Sequence, residues 1–360
     1  MFLPYQPNNR AQTGAALILA LLVVVMVTAL ATSLAGDFLV TLRRVENQLL
    51  SQQAHAYLRG SEGLARSALQ ADFEQSPELD HRSEGWLDNR QEFPLDQGVI
   101  SGTVCDLQGR FNLNSLIGAA VSADGQREYS ANQAQFIRLL QTLDEELEQP
   151  IAQSQAEQIT NAIADWIDSD EQVTANGGAE NGYYSGLDLP YRVANKPLLS
   201  SSELRWIKGL DAALLAALAP HVTVLPAGTL ININSATRNV IQSINEADNL
   251  QPISPQEAES ILQQRDGQRS DNTAVILPGA GTEGFAEVTD FIALHPAESL
   301  DIDTLVVSSD YFLLDSAIVF MERQFRLFSV LHRDPNNGRI RTIARAPSGL
   351  GECEVPLPQQ

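Results

Sequence analysis

The sequence has little positive charge and few of the residue patterns on which catalysis depends. It contains only two lysines, and its formal net charge is −22 at pH 7. Such a chain repels nucleic acid and anionic lipid, and it suits cations and basic partners. Its five histidines are scattered without metal-ligand spacing, and it has no Walker, Rossmann or nucleophile-elbow motif. We therefore expect a structural protein rather than an enzyme.

Proline is absent between Pro7 and Pro77, and charged side chains are absent from the apolar run at 15–36. Twenty-odd apolar residues in a helix match the roughly 30 Å hydrocarbon core of a bilayer. Arg10 is the only charged side chain ahead of the run. With the N-terminal amine it favours a cytoplasmic N-terminus, so everything after Asp37 is expected on the other side of the membrane.

Only two cysteines occur, Cys105 and Cys353, and they lie far apart in the chain. A domain outside the cytoplasm folds in an oxidising compartment, where disulfide bonds persist. The sequence is compatible with a disulfide bond between these two residues and equally with two buried thiols.

The residues around Gly14 leave three interpretations of the apolar run. A secretory signal cleaved near Ser33–Ala35 would have an unusually long apolar core. An uncleaved signal anchor fits the length but gives no role to Gly14. Cleavage after Gly14, with Ala15 as the first mature residue, resembles the class III leader of type IV pilins and type II secretion pseudopilins. A prepilin peptidase cuts that leader and methylates the new N-terminus.

A long helix after the run favours the third interpretation. Apolar residues recur at helical spacing among charged ones, at Leu42, Val45, Leu49, Tyr57, Leu64 and Leu69. A continuous helix over 15–73 would be on the order of 90 Å long, apolar in its first half and amphipathic in its second. The alternative is a membrane anchor followed by a separate helix, with breaks at Gly36, Gly60 and Gly63. We prefer the continuous helix.

Segments with strand character flank a long stretch of helical periodicity. Strands are predicted at 98–107, 311–320, 325–332 and 339–344. Helices are predicted at 133–148, 156–167, 202–218, 238–245, 255–265 and 285–294, with starts capped by Ser130, Ser201 and Ser254. A small sheet needs a helix on one face, and the end of the long helix at 64–69 is expected to supply it. The expected fold class is α+β, a long N-terminal helix on a small antiparallel sheet with a large all-helical insertion.

The segment 165–199 carries six carboxylates among glycines and asparagines, at Asp165, Asp168, Asp170, Glu171, Glu180 and Asp188. Calcium takes six to eight oxygen ligands at about 2.3–2.6 Å. Asp168-Ser169-Asp170 is similar to the start of an EF-hand loop, but the glycine and the final glutamate of that motif are not at the required spacing. The alternative is an ordinary acidic connection. Because irregular segments of about 30 residues are uncommon unless something holds them, we favour a metal-binding loop.

Over essentially its full length the chain resembles the K-type minor pseudopilins of type II secretion. The resemblance rests on the leader junction at 14–17, the acidic tract, PYRVANKPL at 190–198, and the motifs FNLN at 111–114 and ININ at 231–234. Most pilins have a glutamate at the fifth mature residue, which pairs with the amine of the subunit ahead. This chain has Leu19 there. A subunit with no neighbour ahead has no amine to pair with, and a carboxylate in hydrocarbon is costly. The resemblance associates this exception with the K-type protein.

The resemblance implies a SAM-like or helix-hairpin-helix-like domain inserted in the sheet, with calcium bound in its acidic loop. It divides the chain into a leader at 1–14, a transmembrane part of the helix at 15–36, and the stalk helix with the first strands at 37–107. An inserted domain at 108–300 follows, with its calcium loop at 165–199, and the C-terminal strands occupy 301–360. The implied ligands are Asp168, Asp170, Glu180 and Asn195, with Gln172 and Val173 as weaker candidates.

The resemblance also implies a place in a machine. The protein would be a single-pass protein of the bacterial inner membrane with most of its chain in the periplasm. It would lie at the tip of the pseudopilus with the I- and J-type minor pseudopilins and start its assembly. The secretin and the exported protein are further implied contacts, and prepilin peptidase is the implied processing enzyme.

The motif LININSATRNVIQSI at 230–244 supports a different hypothesis. It is similar to helix-hairpin-helix modules of DNA-uptake proteins, which bind phosphate with backbone amides at a helix start, helped by lysine or arginine. Arg238 is close, but no basic cluster surrounds it, and the net charge opposes a polyanion. We prefer an asparagine-capped hairpin that packs helices. A membrane-anchored DNA-binding protein related to competence minor pilins is the alternative function.

Overall fold

The computed structural model describes residues 10–86, 91–118, 129–174, 176–267, 284–297, 299–351 and 353. The chain divides into two compact units, Met1–Ala56 and Tyr57–Gln360. Helix α1, Arg10–Gln75, contributes to both. Residues 10–14 of the predicted leader form the first turn of α1, and the rest of the leader lies outside the described residues.

The first unit is the N-terminal part of α1. From Gly14 onwards this helix contains a stretch that is long and apolar enough to cross a membrane, and none of that stretch is buried. Its apolar side chains from Leu17 to Leu34 are exposed. An apolar surface of this extent fits a single membrane anchor.

Helix α1 has no break at the glycines that the alternative interpretation required. The prediction of one long helix is therefore confirmed, and the alternative of an anchor with a separate surface helix is wrong. A glycine costs an interior helix position only about 1 kcal/mol, which the 66 residues of this helix tolerate.

The second unit has nine strands among the described residues. They are β1 (Gln91–Leu95), β2 (Gly98–Asp106), β3 (Phe111–Asn112), β4 (Val222–Thr223), β5 (Ile231–Asn232), β6 (Leu305–Val306), β7 (Tyr311–Phe320), β8 (Arg323–Arg333) and β9 (Ile340–Ala346). Five of them form an antiparallel sheet in the order β1-β2-β7-β8-β9. In this sheet Cys105 of β2 lies opposite Leu313 of β7. The neighbours β2 and β7 are thus joined by the long segment 107–310.

The four strands predicted for the sheet are present as β2, β7, β8 and β9. Strand β1 is an addition. Its burial pattern is almost uniformly exposed, so its sequence shows none of the alternation that identifies a half-buried strand.

The C-terminal part of α1 covers one face of the sheet, as predicted. Ala65 and Leu69 share a core with Val104, Phe312, Leu314, Leu331 and Ile340. The other face buries Leu313 and Phe328 together with Cys105 and Cys353. These two cysteines are joined by a disulfide bond, with their Cα atoms 5.6 Å apart. The bond attaches the segment after β9 to the face that α1 leaves open.

Helices make up most of the regular structure that the described residues form between β2 and β7. This segment contains α2 (Ala131–Gln141), α3 (Gln153–Ile167), α4 (Asn181–Tyr184), α5 (Ala212–Leu218), α6 (Arg238–Ser243), α7 (Pro255–Arg265) and α8 (Val288–Leu294). Short 3-10 helices lie at Leu113–Leu116, Ser201–Trp206, Ala219–His221 and Ile302–Thr304. These elements enclose one hydrophobic core, in which the rings of Phe111 and Phe136 stack with centroids 5.2 Å apart.

The expectation of an all-helical insertion needs a correction. Strand β3 pairs with β4, and β5 pairs with β6, in two parallel ladders of two residues each. Strands of this length are too short to leave a period-two pattern in the sequence.

Two helix predictions are too long. The helix predicted at 133–148 ends at Gln141. The helix predicted at 202–218 is two elements, because the 3-10 helix ends at Trp206 and α5 begins at Ala212. Between them Gly209 has φ +86°, a left-handed conformation that favours glycine.

Several helix starts also differ from the predicted ones; α2 begins at Ala131 rather than at residue 133, and α3 begins at Gln153 rather than at residue 156. Ser200, not Ser201, caps the 3-10 helix, because its side chain forms a reciprocal capping box with Glu203. Helix α8 begins at Val288 rather than at residue 285. Helix starts depend on which polar side chain reaches the free backbone amides, and neighbouring candidates look equivalent in sequence.

Candidate metal centre

The predicted acidic loop begins at the C-terminal end of α3. Asp165 lies in the last turn of this helix, and Asp168 is its C-cap. Asp165 is completely buried, because this turn faces the core of the inserted segment. Helix α3 therefore carries a carboxylate into the protein interior.

Three carboxylates meet in this loop. Asp165, Asp168 and Glu180 each offer an oxygen, and these three oxygens lie within 4.8 Å of one another. Asp165 and Asp168 are one helical turn apart and thus share a face. Glu180 comes from the far limb of the loop, as the N-cap of α4. Calcium–oxygen distances of about 2.3–2.6 Å allow one ion to contact oxygens at this separation.

Several acceptors of the acidic loop have no hydrogen-bond donor among the described residues. Glu180 is 3% exposed, and neither of its side-chain oxygens has a hydrogen-bond partner there. The same holds for Asn195 Oδ1. Asp165 is partly satisfied, since Thr174 N donates to its Oδ2 at 3.1 Å. Buried acceptors without donors are costly, and these oxygens are of the kind that bind calcium.

The electrostatics of the loop also fit a cation. Burial, together with the charges of Asp165 and Asp168, raises the pKa of Glu180 to about 7. Burial likewise raises the pKa of Asp168 to about 6, together with the charges of Asp170 and Asp165 and against a hydrogen bond from the Asp170 amide. Both shifts arise first from burial and then from repulsion by neighbouring carboxylates.

The loop backbone passes close to the carboxylates. A Cβ atom at Gly178 would overlap Asp165 Oδ2 and the carbonyl oxygen of Thr174. On the other side, Lys208 Nζ donates to the carbonyl oxygen of Gly177 at 3.0 Å. The glycine pair at 177–178 therefore allows the chain to wrap around the carboxylate group.

The predicted ligands fall into two groups. Asp168 and Glu180 lie together in the carboxylate group. Asp170 is exposed, and Asn195 Nδ2 donates to its carbonyl oxygen at 2.7 Å, so this bond joins the two limbs of the loop. The weaker candidates, Gln172 and Val173, are exposed.

Asp165 was not among the predicted ligands, although it belongs to the carboxylate group. The signal that points to it is its position one helical turn before Asp168, at the end of a predicted helix. The residues expected to mark processing and the tip lie on α1, where Gly14, Ala15 and Leu19 are exposed. Their roles remain predictions.

Comparison with known proteins identifies the family. A family model described as "Type II secretion system (T2SS), protein K" matches residues 109–227. The Type II secretion system protein K of Pseudomonas aeruginosa is 32% identical over 360 residues, which cover 97% of this chain and 96% of that protein. The chain belongs to the type II secretion system protein K family. The resemblance found in the sequence is thus confirmed.

Two further proteins are similar to this protein K family member. The protein K of Aeromonas hydrophila is 36% identical over 233 residues, covering 64% of this chain and 69% of that protein. The crystal structure of the GspK-GspI-GspJ complex from enterotoxigenic Escherichia coli has a chain that matches with a TM-score of 0.67 and 28% identity. The match covers 84% of this chain and 98% of that one. The segment matched by the family model includes the whole acidic loop.

Family membership favours the secretion function over the DNA-uptake alternative. In this protein K family member Asn232 and Asn234 are buried, and Asn232 Nδ2 donates to Ser309 Oγ at 2.9 Å. Arg238 forms an ion pair with Glu145, with 3.0 Å between nitrogen and oxygen. The buried asparagine side chains thus stabilise the fold through hydrogen bonds in the protein interior.

Proposed function

We propose that the protein is the minor pseudopilin at the tip of a type II secretion pseudopilus, where it assembles with I- and J-type minor pseudopilins and starts filament assembly. The observation that carries this proposal is the match to nearly the whole of one chain in the GspK-GspI-GspJ complex. Its role there is structural, in support of protein export across the outer membrane.

Two features support a place at the end of the filament. The segment 107–310 emerges between the neighbouring strands β2 and β7, and a domain of this size suits a tip but would obstruct a helical stack of subunits. Leu19 stands where most pilins carry the glutamate that pairs with the subunit ahead. A terminal subunit has no such neighbour and gains nothing from a carboxylate in hydrocarbon.

The N-terminal sequence supports the proposed location. Prepilin peptidase would cut after Gly14, and Ala15 would then start a helix anchored in the bacterial inner membrane. Arg10 favours a cytoplasmic N-terminus, so the rest of the chain would enter the periplasm. The secretin and the exported protein are proposed contacts of the tip.

Calcium is the proposed resident ion of the acidic loop. Asp165, Asp168 and Glu180 would hold it, and the donor-free Oδ1 of Asn195 is a fourth candidate oxygen. The ion would supply positive charge that offsets the repulsion among the buried carboxylates. Glu180 and Asn195 would then no longer be unsatisfied, and the two limbs of the loop would be held together.

Labelling tests the tip assignment. A small tag on the native subunit would be labelled with gold in filaments over-assembled from the major pseudopilin. One label at a single end is expected, and labels spaced along the shaft would contradict the proposal. Co-purification of the full chain with the I- and J-type proteins from the same membranes tests the partners.

A matched pair of variants at Leu19 tests the explanation for the missing glutamate. Leu19→Glu would place a carboxylate in hydrocarbon, which costs roughly 2–3 kcal/mol on insertion scales, and it should not improve assembly. Leu19→Ala removes the same side chain without adding charge and controls for lost apolar contact. Better assembly of Leu19→Glu than of the native protein would contradict the terminal position.

A further inference from the structure

The inserted segment contains one structural arrangement twice. Each half starts with a two-residue strand, β3 or β5, that carries the first asparagine of an Asn-x-Asn-Ser sequence. In each half that asparagine accepts a hydrogen bond from the backbone amide two residues later, Asn114 N to Asn112 Oδ1 at 3.2 Å and Asn234 N to Asn232 Oδ1 at 2.9 Å. Each half ends with the parallel partner of its first strand, β4 or β6.

The side-chain amide of the second asparagine in each sequence forms hydrogen bonds with both backbone groups, the N–H and the C=O, of one distant residue. We call this pair of hydrogen bonds a clamp. Asn114 Oδ1 accepts from Leu198 N at 2.8 Å, and Asn114 Nδ2 donates to Leu198 O at 3.1 Å. Asn234 Oδ1 accepts from Phe285 N at 2.8 Å, and Asn234 Nδ2 donates to Phe285 O at 3.0 Å. All four residues are buried. The two clamps thus use the same pair of bonds, and Asn114 Nδ2 donates in addition to the carbonyl oxygen of Leu225 at 2.9 Å.

The helix that follows each clamp starts in the same register. Ser200 and Glu203 form the capping box after Leu198, and Glu287 and Asp290 form the one after Phe285. In both halves the capping residue comes two positions after the clamped residue. This agreement extends the repeat beyond the asparagines themselves.

The two halves differ in the loop that precedes the clamped residue. In the first half, the segment between α3 and the clamped Leu198 is the acidic loop. Among the described residues the second half has no comparable group of three carboxylates. Among the described residues, the clamp therefore closes a loop with a group of three carboxylates in the first half only.

We propose that Asn114 is a positioning residue for the metal loop, an inference that rests on the proposed calcium site. Asn114 fixes the backbone of Leu198. Leu198 lies three positions after Asn195, and Pro197 lies between them. The ring of Pro197 restricts the backbone between Asn195 and Leu198. Fixing Leu198 therefore also limits where Asn195 can lie. Asn195 Nδ2 in turn donates to the carbonyl oxygen of Asp170, which joins the two limbs of the loop.

The effect of the clamp on calcium binding is entropic. A loop whose end is already fixed loses less conformational freedom when it closes on an ion. Without the Asn114 amide, the buried N–H and C=O of Leu198 would lose partners, and the limb that carries Asn195 would move more freely. Calcium binding would then have to order that limb.

The second half supplies the matched control. Asn114→Ala and Asn234→Ala remove corresponding clamps, Asn114→Ala together with its bond to Leu225, and both variants should melt at lower temperature than the native protein. Calcium chloride would be titrated by calorimetry into each full-length protein in detergent micelles after chelation. We expect Asn114→Ala to raise the calcium dissociation constant about tenfold or more, because loss of outer-shell partners weakens metal binding by this amount. Asn234→Ala should keep it within about twofold of the native value.

Each outcome decides something. If Asn114→Ala folds and binds calcium as the native protein does, the positioning role is wrong although the calcium site stands. If Asn234→Ala weakens binding equally, the effect is general stability and the positioning role is again wrong. If the native protein binds no calcium, the proposed site fails first. Should Asn114→Ala not fold, Asn114→Ser and Asn234→Ser, which keep a hydroxyl at the clamp, make the same comparison.

Discussion

Glu62 in α1 accepts two hydrogen bonds from Arg345 in the edge strand β9. Arg345 Nε lies 2.6 Å from Glu62 Oε1, and Arg345 Nη2 lies 2.8 Å from Glu62 Oε2. Glu62 is 1% exposed and also accepts from Ser329 Oγ at 2.9 Å. This contact fixes the rotation of the helix on the sheet, because one buried charge must meet donors from two strands.

Glu62→Gln is expected to lower the free energy of unfolding by roughly 2 kcal/mol at pH 7, the scale of hydrogen bonds to a charged group. Burial alone would raise the pKa of Glu62, but the hydrogen bonds from Arg345 and Ser329 and the Arg345 charge lower it to about 2. This stabilisation is therefore present above the ordinary pKa and is lost as pH falls towards 2. Urea denaturation at pH 7 and pH 3 measures it.

The exposed Glu259→Gln on α7 is the control for Glu62→Gln. It should change stability by less than about 0.5 kcal/mol. A difference between native protein and Glu62→Gln that stays constant from pH 7 to pH 3 would contradict the account.

The raised pKa of Glu84 predicts the opposite pH dependence of stability. Its pKa is raised to about 9, first by burial and then by the charges of Asp72 and Asp80, although a hydrogen bond from His81 N and the Arg333 charge act against the shift. A carboxyl group with a raised pKa stabilises the fold at low pH, and this contribution is lost as pH rises through 9. Glu84→Gln should thus gain stability relative to the native protein between pH 5 and pH 9.

Chemical denaturation at pH 5, 7 and 9 tests this prediction. Glu74→Gln, an exposed change in the last turn of α1, should show no such trend. If Glu84→Gln becomes less stable relative to the native protein as pH rises, the raised pKa assigned to Glu84 is wrong.

The disulfide bond between Cys105 and Cys353 should stabilise the second unit by about 2–4 kcal/mol. Reductant is expected to lower the urea midpoint of the native protein to that of the double variant Cys105→Ser, Cys353→Ser. The double variant is its own control, because reductant should leave it unchanged. Equal midpoints for oxidised native protein and double variant would show that the bond contributes nothing.

Calcium should raise the melting temperature of the protein. At a hundred times its dissociation constant, a ligand of the folded state adds about 2.7 kcal/mol of stability. Glu180→Gln should abolish most of this response, because it removes the charge of a carboxylate that has no hydrogen-bond donor among the described residues. Glu171→Gln, an exposed change in the same loop, should preserve it. Identical melting curves in calcium and in chelator for the native protein would refute the metal assignment.

The mature chain is expected to begin at Ala15. Gly14→Leu should leave the leader attached, because the peptidase cuts after a small residue, whereas Ala11→Leu within the leader should be processed normally. Intact mass of the membrane-bound protein reads both results. A native chain that starts at Met1 or after Ala35 would rule out the leader assignment.

Local patterns sufficed for much of the fold. The period of apolar residues identified α1 and the helices of the inserted segment except α4, and strand character identified β2, β7, β8 and β9. These signals are carried by neighbours within a few residues, so sequence alone shows them. The acidic loop was found in the same way, from composition. Strand β1 and the two-residue ladders were missed because they are too exposed or too short to carry a pattern.

The sequence by itself therefore determined most of the longer elements, the membrane anchor and the position of the acidic loop. The tertiary structure decided which distant residues meet. It brought Asp165 and Glu180 together, matched Glu62 with Arg345, and gave Asn114 and Asn234 equivalent partners in Leu198 and Phe285. Such pairings depend on how helices and strands pack across many residues, because a side chain's burial and partners are set by the whole core rather than by its neighbours in the chain.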